Sequence, residues 1–194
     1  RVMDRTNIRY VTAEQCGVIG HNGAGKSTLI RLLGGELLPS SGAVLLDGAA
    51  VHAFSAKARA RRIASLPQKL PDAADFLVRE LVMLGRFPWQ GWLQRPSAED
   101  VACVEAAMAQ TDVARFAAQP VNTLSGGERQ RAWLAQQSEV LLLYEPLAAL
   151  DIVYQVEVLQ LVRRLVAERG LTVVMIIHDI NLAAALASTA PLQA

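Results

Sequence analysis

The stretch that most constrains this chain is Gly20-His21-Asn22-Gly23-Ala24-Gly25-Lys26-Ser27-Thr28. It satisfies G-x-x-x-x-G-K-[ST], with Gly20, Gly25, Lys26 and Ser27 on the fixed positions. An apolar run, Cys16-Gly17-Val18-Ile19, precedes it, and a helix-patterned run, Leu29-Ile30-Arg31-Leu32-Leu33, follows. Strand, glycine-rich loop and helix in that order are what a phosphate-binding loop needs. The glycines let successive backbone N–H groups turn inward around phosphate oxygens. The positive end of the helix faces the same oxygens. In such a loop Lys26 reaches the outer phosphates of a nucleotide and the Ser27 hydroxyl holds Mg²⁺.

The rest of the chain must supply a scaffold for that loop. Its 194 residues suit one domain with a small inserted subdomain, and 52% hydrophobic residues allow a substantial core. Lys+Arg 19 against Asp+Glu 18 leaves no basic footprint, so no nucleic-acid partner is expected. No apolar run reaches the roughly 18 residues of a membrane span, and the first residues show no cleavable signal pattern. Cys16 and Cys103 form neither a metal nor a redox spacing. Cys16 reads as a small buried strand residue, and free thiols fit a reducing compartment.

The helix after the loop is expected to end near Gly34-Gly35, and Ala43-Val44-Leu45-Leu46 reads as a strand closed by Asp47-Gly48. Ser55 to Arg62 reads as a short basic helix with a solvated face, and Ile63-Ala64-Ser65-Leu66 as a strand stopped by Pro67-Gln68. A helix is expected from Leu77 to Gly85, then a loop with three exposed-looking aromatics, Phe87, Trp89 and Trp92. That loop suits either local packing or a docking surface. Ser97 and Asp100 cap a helix running to about Gln110. Leu124-Ser125-Gly126-Gly127-Glu128-Arg129-Gln130-Arg131 places small residues before a helix expected to start near Glu128, a second potential phosphate cradle with free N–H groups. Val140-Leu141-Leu142-Leu143 reads as a buried strand that delivers Tyr144-Glu145-Pro146. Ala149-Leu150-Asp151 opens a long amphipathic helix ended by Gly170, and the β-branched run 171–177 delivers His178-Asp179. This alternation predicts an α/β fold with a mainly parallel central sheet. Its loops should converge at the carboxyl ends of the strands.

Taken together, these motifs resemble the ATP-binding subunits of ABC transporters, over about residues 11–186. The string 124–131 resembles the ABC signature, Gln68 the Q-loop glutamine, 141–146 the Walker B segment, 149–151 the D-loop, and His178 the switch histidine. The segments 78–82 and 85–89, with Leu66-Pro67-Gln68 and His178-Asp179-Ile180-Asn181, are similar to iron–siderophore (ferric hydroxamate) importers, which have haem and vitamin B12 import subunits as near relatives. The resemblance implies a P-loop NTPase of ABC type: a single cassette over 1–194, incomplete at both ends, with a helical subdomain over about 72–135. It implies ATP and Mg²⁺ as cofactors. It also implies a homodimer sandwiching two nucleotides, membrane permease subunits, an indirectly coupled siderophore-binding protein, and a peripheral position on the cytoplasmic face of a bacterial inner membrane.

By the same resemblance, residues 20–28 with Ser125, Gly126, Gly127 and Asp151 bind ATP, the signature closing on the nucleotide held by the other protomer. Glu145 polarises the attacking water, His178 contacts the outer phosphate, and Ser27 and Gln68 hold Mg²⁺. Residues around 69–92 form the permease docking surface. Three departures stand out. Tyr144 replaces the Walker B aspartate, which predicts weak Mg²⁺ affinity and slow hydrolysis, up to a degenerate cassette that binds without efficient turnover. The interval from Leu124 to Tyr144 is about one helical turn short of the family pattern, which predicts a strained approach to the Walker B strand. Segments flanking the motifs are missing, including an upstream aromatic for adenine, a role that Tyr10 is not placed to fill.

Overall fold

The computed structural model describes residues 14–73, 75–90, 95–136, 138–148, 150–179 and 182–184. In chain order its elements are β1 (Gln15–Val18), α1 (Lys26–Leu33), β2 (Leu45–Leu46), β3 (Ala49–Ala50), α2 (Ala56–Arg62), β4 (Ile63–Leu66), α3 (Val78–Leu84), α4 (Ala98–Gln110), α5 (Gly126–Leu134), β5 (Val140–Leu143), α6 (Ile152–Arg169) and β6 (Thr172–Ile176).

Four strands form one sheet in the order β1-β6-β5-β4, with every neighbouring pair parallel. Parallel sheets are covered on both faces, and these strands are correspondingly apolar. Alternation along each strand sorts the side chains. Leu141, Leu143, Val173 and Met175 enter a core with Val158, Leu161, Val162 and Leu165 of α6. Leu142, Val174 and Ile176 point the other way and pack with Ile30 of α1, Val51 and Ile63. A third apolar cluster draws all its fully buried members from residues 73–135, among them Val78, Leu81, Val104, Met108 and Ala132. Trp133 packs against both this cluster and the α6 core, so α5 ties the two together.

The register sets the site. Val18 lies beside Ile176, Met175 beside Leu143 and Leu143 beside Leu66. The four carboxyl ends therefore stop at one edge, where the segments starting at Ile19, Pro67, Tyr144 and Ile177 leave the sheet.

Several expectations need correction. Of 43–46, only Leu45–Leu46 is strand. It pairs antiparallel with Ala49–Ala50 around Asp47 (φ 50) and Gly48 (φ 79), the two positive φ values of a tight primed hairpin turn. α2 buries no residue, as expected of a solvated basic helix, and its cations add surface bonds: Lys57 donates to the Gln90 carbonyl at 2.7 Å, Arg61 to that of Pro88 at 2.8 Å, and Arg62 pairs with Asp47 and Glu139. Of the loop aromatics Phe87 is 72% exposed, but Trp89 is half-buried under the Arg86 guanidinium, and Trp92 lies outside the described residues. Cys16 is half-buried rather than buried. Among the described residues between α5 and β5 none has a positive φ.

Candidate functional site

The glycine-rich loop leaves β1 and returns as α1. Gly23 (φ 84) and Gly25 (φ 87) take left-handed conformations that a side chain would resist, and a Cβ at Gly23 would meet nothing within 4 Å. Lys26 is buried, and its Nζ donates to the carbonyls of Gly20 at 2.7 Å and His21 at 3.0 Å, cinching the loop. His21 Nδ1 lies 2.8 Å from the Asn22 carbonyl.

α1 begins differently from the other helices. Gly25 offers no side-chain cap and the first turn carries no acid. Elsewhere Ser55, Ser97, Ser125 and Asp151 cap their helices, and Glu80 reaches back to the Leu77 N–H. α3 likewise lacks a side-chain acceptor for its first turn, but its Val78 and Arg79 N–H groups donate to the Gln119 and Ala117 carbonyls. Among the described residues α1 has neither a side-chain cap nor such a loop carbonyl at its first turn. That vacancy fits an anion as the cap, so the loop fits the phosphates of a nucleotide.

Next to it, the ends of β4, β5 and β6 bring three predicted residues together. Glu145 turns out of β5 at φ 47, a left-handed conformation uncommon outside glycine. Its Oε2 accepts from Gln68 Nε2 at 2.7 Å, and its Oε1 accepts from His178 Nε2 at 2.5 Å. Each carboxylate oxygen keeps a second lone pair, so Glu145 can still accept a hydrogen bond from water.

A cavity of about 390 Å³ opens between the two groups, lined by Ser27, Arg31, Glu36, Ser65, Pro67, Gln68, Tyr144, Glu145 and Ile176. The Tyr144 ring packs against the Ile30, Val174 and Ile176 cluster. Its hydroxyl is buried without a protein partner. Burial, with the nearby Glu36 charge, pushes the phenol up to about 12, opposed by Arg31. The residues do not fit a protein-held Mg²⁺. Both lining carboxylates are engaged, Glu145 as above and Glu36 with Arg31 at 3.4 Å. What remains is the Ser27 hydroxyl, the Gln68 amide oxygen and a neutral phenol. Among the described residues no cluster of three or more His, Cys, Asp or Glu is placed to hold a metal.

The structure does not bring the remaining predicted residues to this cavity. Ser125, Gly126, Gly127 and Asp151 are absent from its lining. α5 starts at Gly126, two residues earlier than expected, and its donors are not all free. Glu128 accepts from the Ser125 N–H at 2.9 Å, and the Ser125 hydroxyl accepts from the Glu128 N–H at 3.3 Å. The Ser125 bonds, the backbone one foremost, hold the Glu128 carboxyl below the usual range. Asp151 caps α6 by accepting from the Tyr154 N–H at 3.3 Å. Gly127 lies under the Tyr154 ring, where a Cβ would come within 2.8 Å. Sequence reasoning missed Arg31, Glu36 and Ser65. Only Arg31 left a signal, one helical turn from Ser27 and hence on its face.

A second cavity, of about 470 Å³, runs along α3, lined by Asp75, Phe76, Arg79, Glu80, Met83 and Leu84. Arg86, buried against Asp100 at 2.8 Å, anchors the loop after α3. No helix among the described residues is long and apolar enough to cross a membrane.

The sequence matches the family model described as ABC transporter over residues 3–148. It is 46% identical over 187 residues to the achromobactin transport ATP-binding protein CbrD of Dickeya dadantii (strain 3937), covering 94% of this chain and 69% of that protein. Over 187 residues it is 41% identical to the iron(3+)-hydroxamate import ATP-binding protein FhuC of Bacillus subtilis (strain 168), covering 94% of this chain and 70% of that one. The fold superposes on a dimeric bacterial ABC transporter cassette with a TM-score of 0.77 at 27% identity, covering 94% of this chain and 82% of that one.

Proposed function

The chain belongs to the ATP-binding subunits of the ABC transporter family, and we propose that it binds and hydrolyses ATP to power import of an iron–siderophore complex. The observation that carries the nucleotide reading is the uncapped α1 facing the Gln68–Glu145–His178 hydrogen-bonded string across one cavity. Residues 20–28 hold the phosphates. Glu145 accepts a proton from the water that attacks the terminal phosphate. Gln68 and His178 hold that carboxylate in place, and His178, 41% exposed at its side chain, remains open to the phosphate. The siderophore reading rests on the relatives: CbrD is named for achromobactin and FhuC for iron(3+)-hydroxamate.

Ser125, Gly126, Gly127 and Asp151 act on the nucleotide of a second copy. In support, they lie away from their own chain's cavity, beside an exposed apolar start of α6, with Ile152 and Val153 each 63% exposed. The cluster within 73–135 supports a helical subdomain over about 72–135. Residues around 69–92 dock the permease, a reading supported by the α3 cavity and the exposed Phe87. On this reading the chain works at the cytoplasmic face of a bacterial inner membrane, coupled through the permease to a siderophore-binding protein. In the cell of origin, Lys26→Ala should abolish growth on a ferric siderophore as sole iron source. Undiminished growth would refute the reading.

A further inference from the structure

The cavity beside the phosphate loop combines features that pull in opposite directions. It is built for anions: α1 offers uncapped N–H groups, Lys26 closes the loop, and Arg31 lines the wall one turn beyond Ser27. A divalent cation accompanying those anions needs about six oxygen ligands, usually including a carboxylate from the protein. Here both carboxylates already have partners. Gln68 and His178 each donate to one oxygen of Glu145, and Glu36 pairs with Arg31. Directly after β5, immediately before Glu145, stands a phenol rather than an acid.

The Tyr144 side chain is not free to swing aside. Its backbone N–H is bonded to the Leu66 carbonyl at 2.9 Å, which holds the residue in the sheet line, and its ring packs into the α1 face of the core. The hydroxyl is buried beside Ser27 and Glu36 in the cavity wall with no protein acceptor. The Tyr144 residue lines the cavity together with Ser27 of the phosphate loop. An unsatisfied buried hydroxyl is costly, and a phosphate oxygen or water brought by the ligand would satisfy it.

We propose that this site binds a nucleoside triphosphate without energetic help from a divalent cation, and that Tyr144 is the residue that sets this metal independence. The proposal rests on the nucleotide-binding reading above. Protein cations and helix N–H groups meet the phosphate charge, and Mg²⁺ arriving on the nucleotide gains no charged protein ligand.

The test is calorimetric titration of ATP into the purified chain, once with Mg²⁺ in excess and once with EDTA. The dissociation constants should agree within about threefold. Tyr144→Asp should restore metal dependence, with binding at least tenfold tighter in Mg²⁺ than in EDTA. Tyr144→Phe, which keeps the ring and the fold, should stay metal-independent. Wild-type binding at least tenfold weaker in EDTA overturns the proposal alone and leaves the nucleotide reading standing. Wild-type binding in neither condition overturns the nucleotide reading and the proposal with it. A Tyr144→Asp chain that folds and stays metal-independent, or a Tyr144→Phe chain that becomes metal-dependent, overturns the role given to Tyr144, and the wild-type ratio by itself decides the metal independence.

Discussion

Two helices in this molecule begin with glycine-rich sequence, and they begin in opposite ways. α1 is entered through Gly23 and Gly25 at positive φ and has no side-chain cap. α5 is entered through Ser125, Gly126 and Gly127, and it is capped reciprocally by Ser125 and Glu128. At α1 the first-turn donors await an outside acceptor. At α5 part of that need is met from within, and the glycines serve another purpose, since Gly127 lets the Tyr154 ring lie against the helix start. A glycine-rich helix start is therefore not one kind of object. α1 is shaped to hold phosphate in its own chain, and α5 is a self-supporting edge suited to meeting a ligand carried elsewhere.

Breaking the α1 side should have the largest effect. Lys26→Ala removes a buried cation that ties Gly20 and His21. Charge-assisted bonds of this kind are worth about 1.5–3 kcal/mol, so ATP affinity should fall by about 10- to 100-fold in equilibrium titration. Affinity within about twofold of wild type would mean that α1 is not the phosphate site.

On the α5 side, Gly127→Ala should cost stability rather than binding. Its Cβ would come within 2.8 Å of Tyr154, and overpacking of this sort costs about 1–3 kcal/mol. Thermal unfolding should show it, while ATP affinity of the isolated chain stays unchanged. A fall in affinity with unchanged stability would place the signature in its own chain's site and remove the contrast.

Much of this contrast was legible in the sequence, though not all for the right reason. The strands were readable because Val140-Leu141-Leu142-Leu143 and the run 171–177 are apolar on both faces. The convergence of the phosphate loop, Glu145 and His178 followed from parallel strands ending at one edge, whereas Gln68 was marked by the family resemblance alone. The start of α5 was misjudged because its small residues were read as free donors. The pattern S-x-x-E over 125–128 is the same capping signature recognised at Ser97 and Asp100. The stacking of Tyr154 over Gly127 and the closing of Arg31, Glu36 and Tyr144 round one cavity were not readable. They depend on how α6 and α1 lie on the sheet, and no local spacing encodes that.

Ser125→Ala sharpens the comparison at smaller amplitude. It removes the acceptor for the Glu128 N–H, a loss typically near 1 kcal/mol, or about 2–4 °C in the thermal midpoint of a chain of this size. ATP affinity of the isolated chain should not change, whereas nucleotide-driven association of two copies, followed by sedimentation, should weaken. Unchanged association would count against Ser125 as a contact across the dimer.

The smallest effect is a pH dependence that belongs to one helix start and not the other. The Glu128 carboxyl is held below the usual glutamate range, first by the Ser125 N–H and then by its hydroxyl, with Arg131 and Arg115 adding attraction. A carboxyl with a depressed folded value stabilises fully above its unfolded value, about 4.3 for glutamate. That contribution is lost as pH falls through the lower folded value. α1 has no acid in its first turn, so no carboxylate there adds to the same loss. Comparing thermal midpoints of the chain and of Glu128→Gln should show a gap near neutral pH that narrows below about pH 4.3. A gap that persists in acid would mean that the α5 cap works through its geometry alone. The two helix starts would then differ in shape but not in charge.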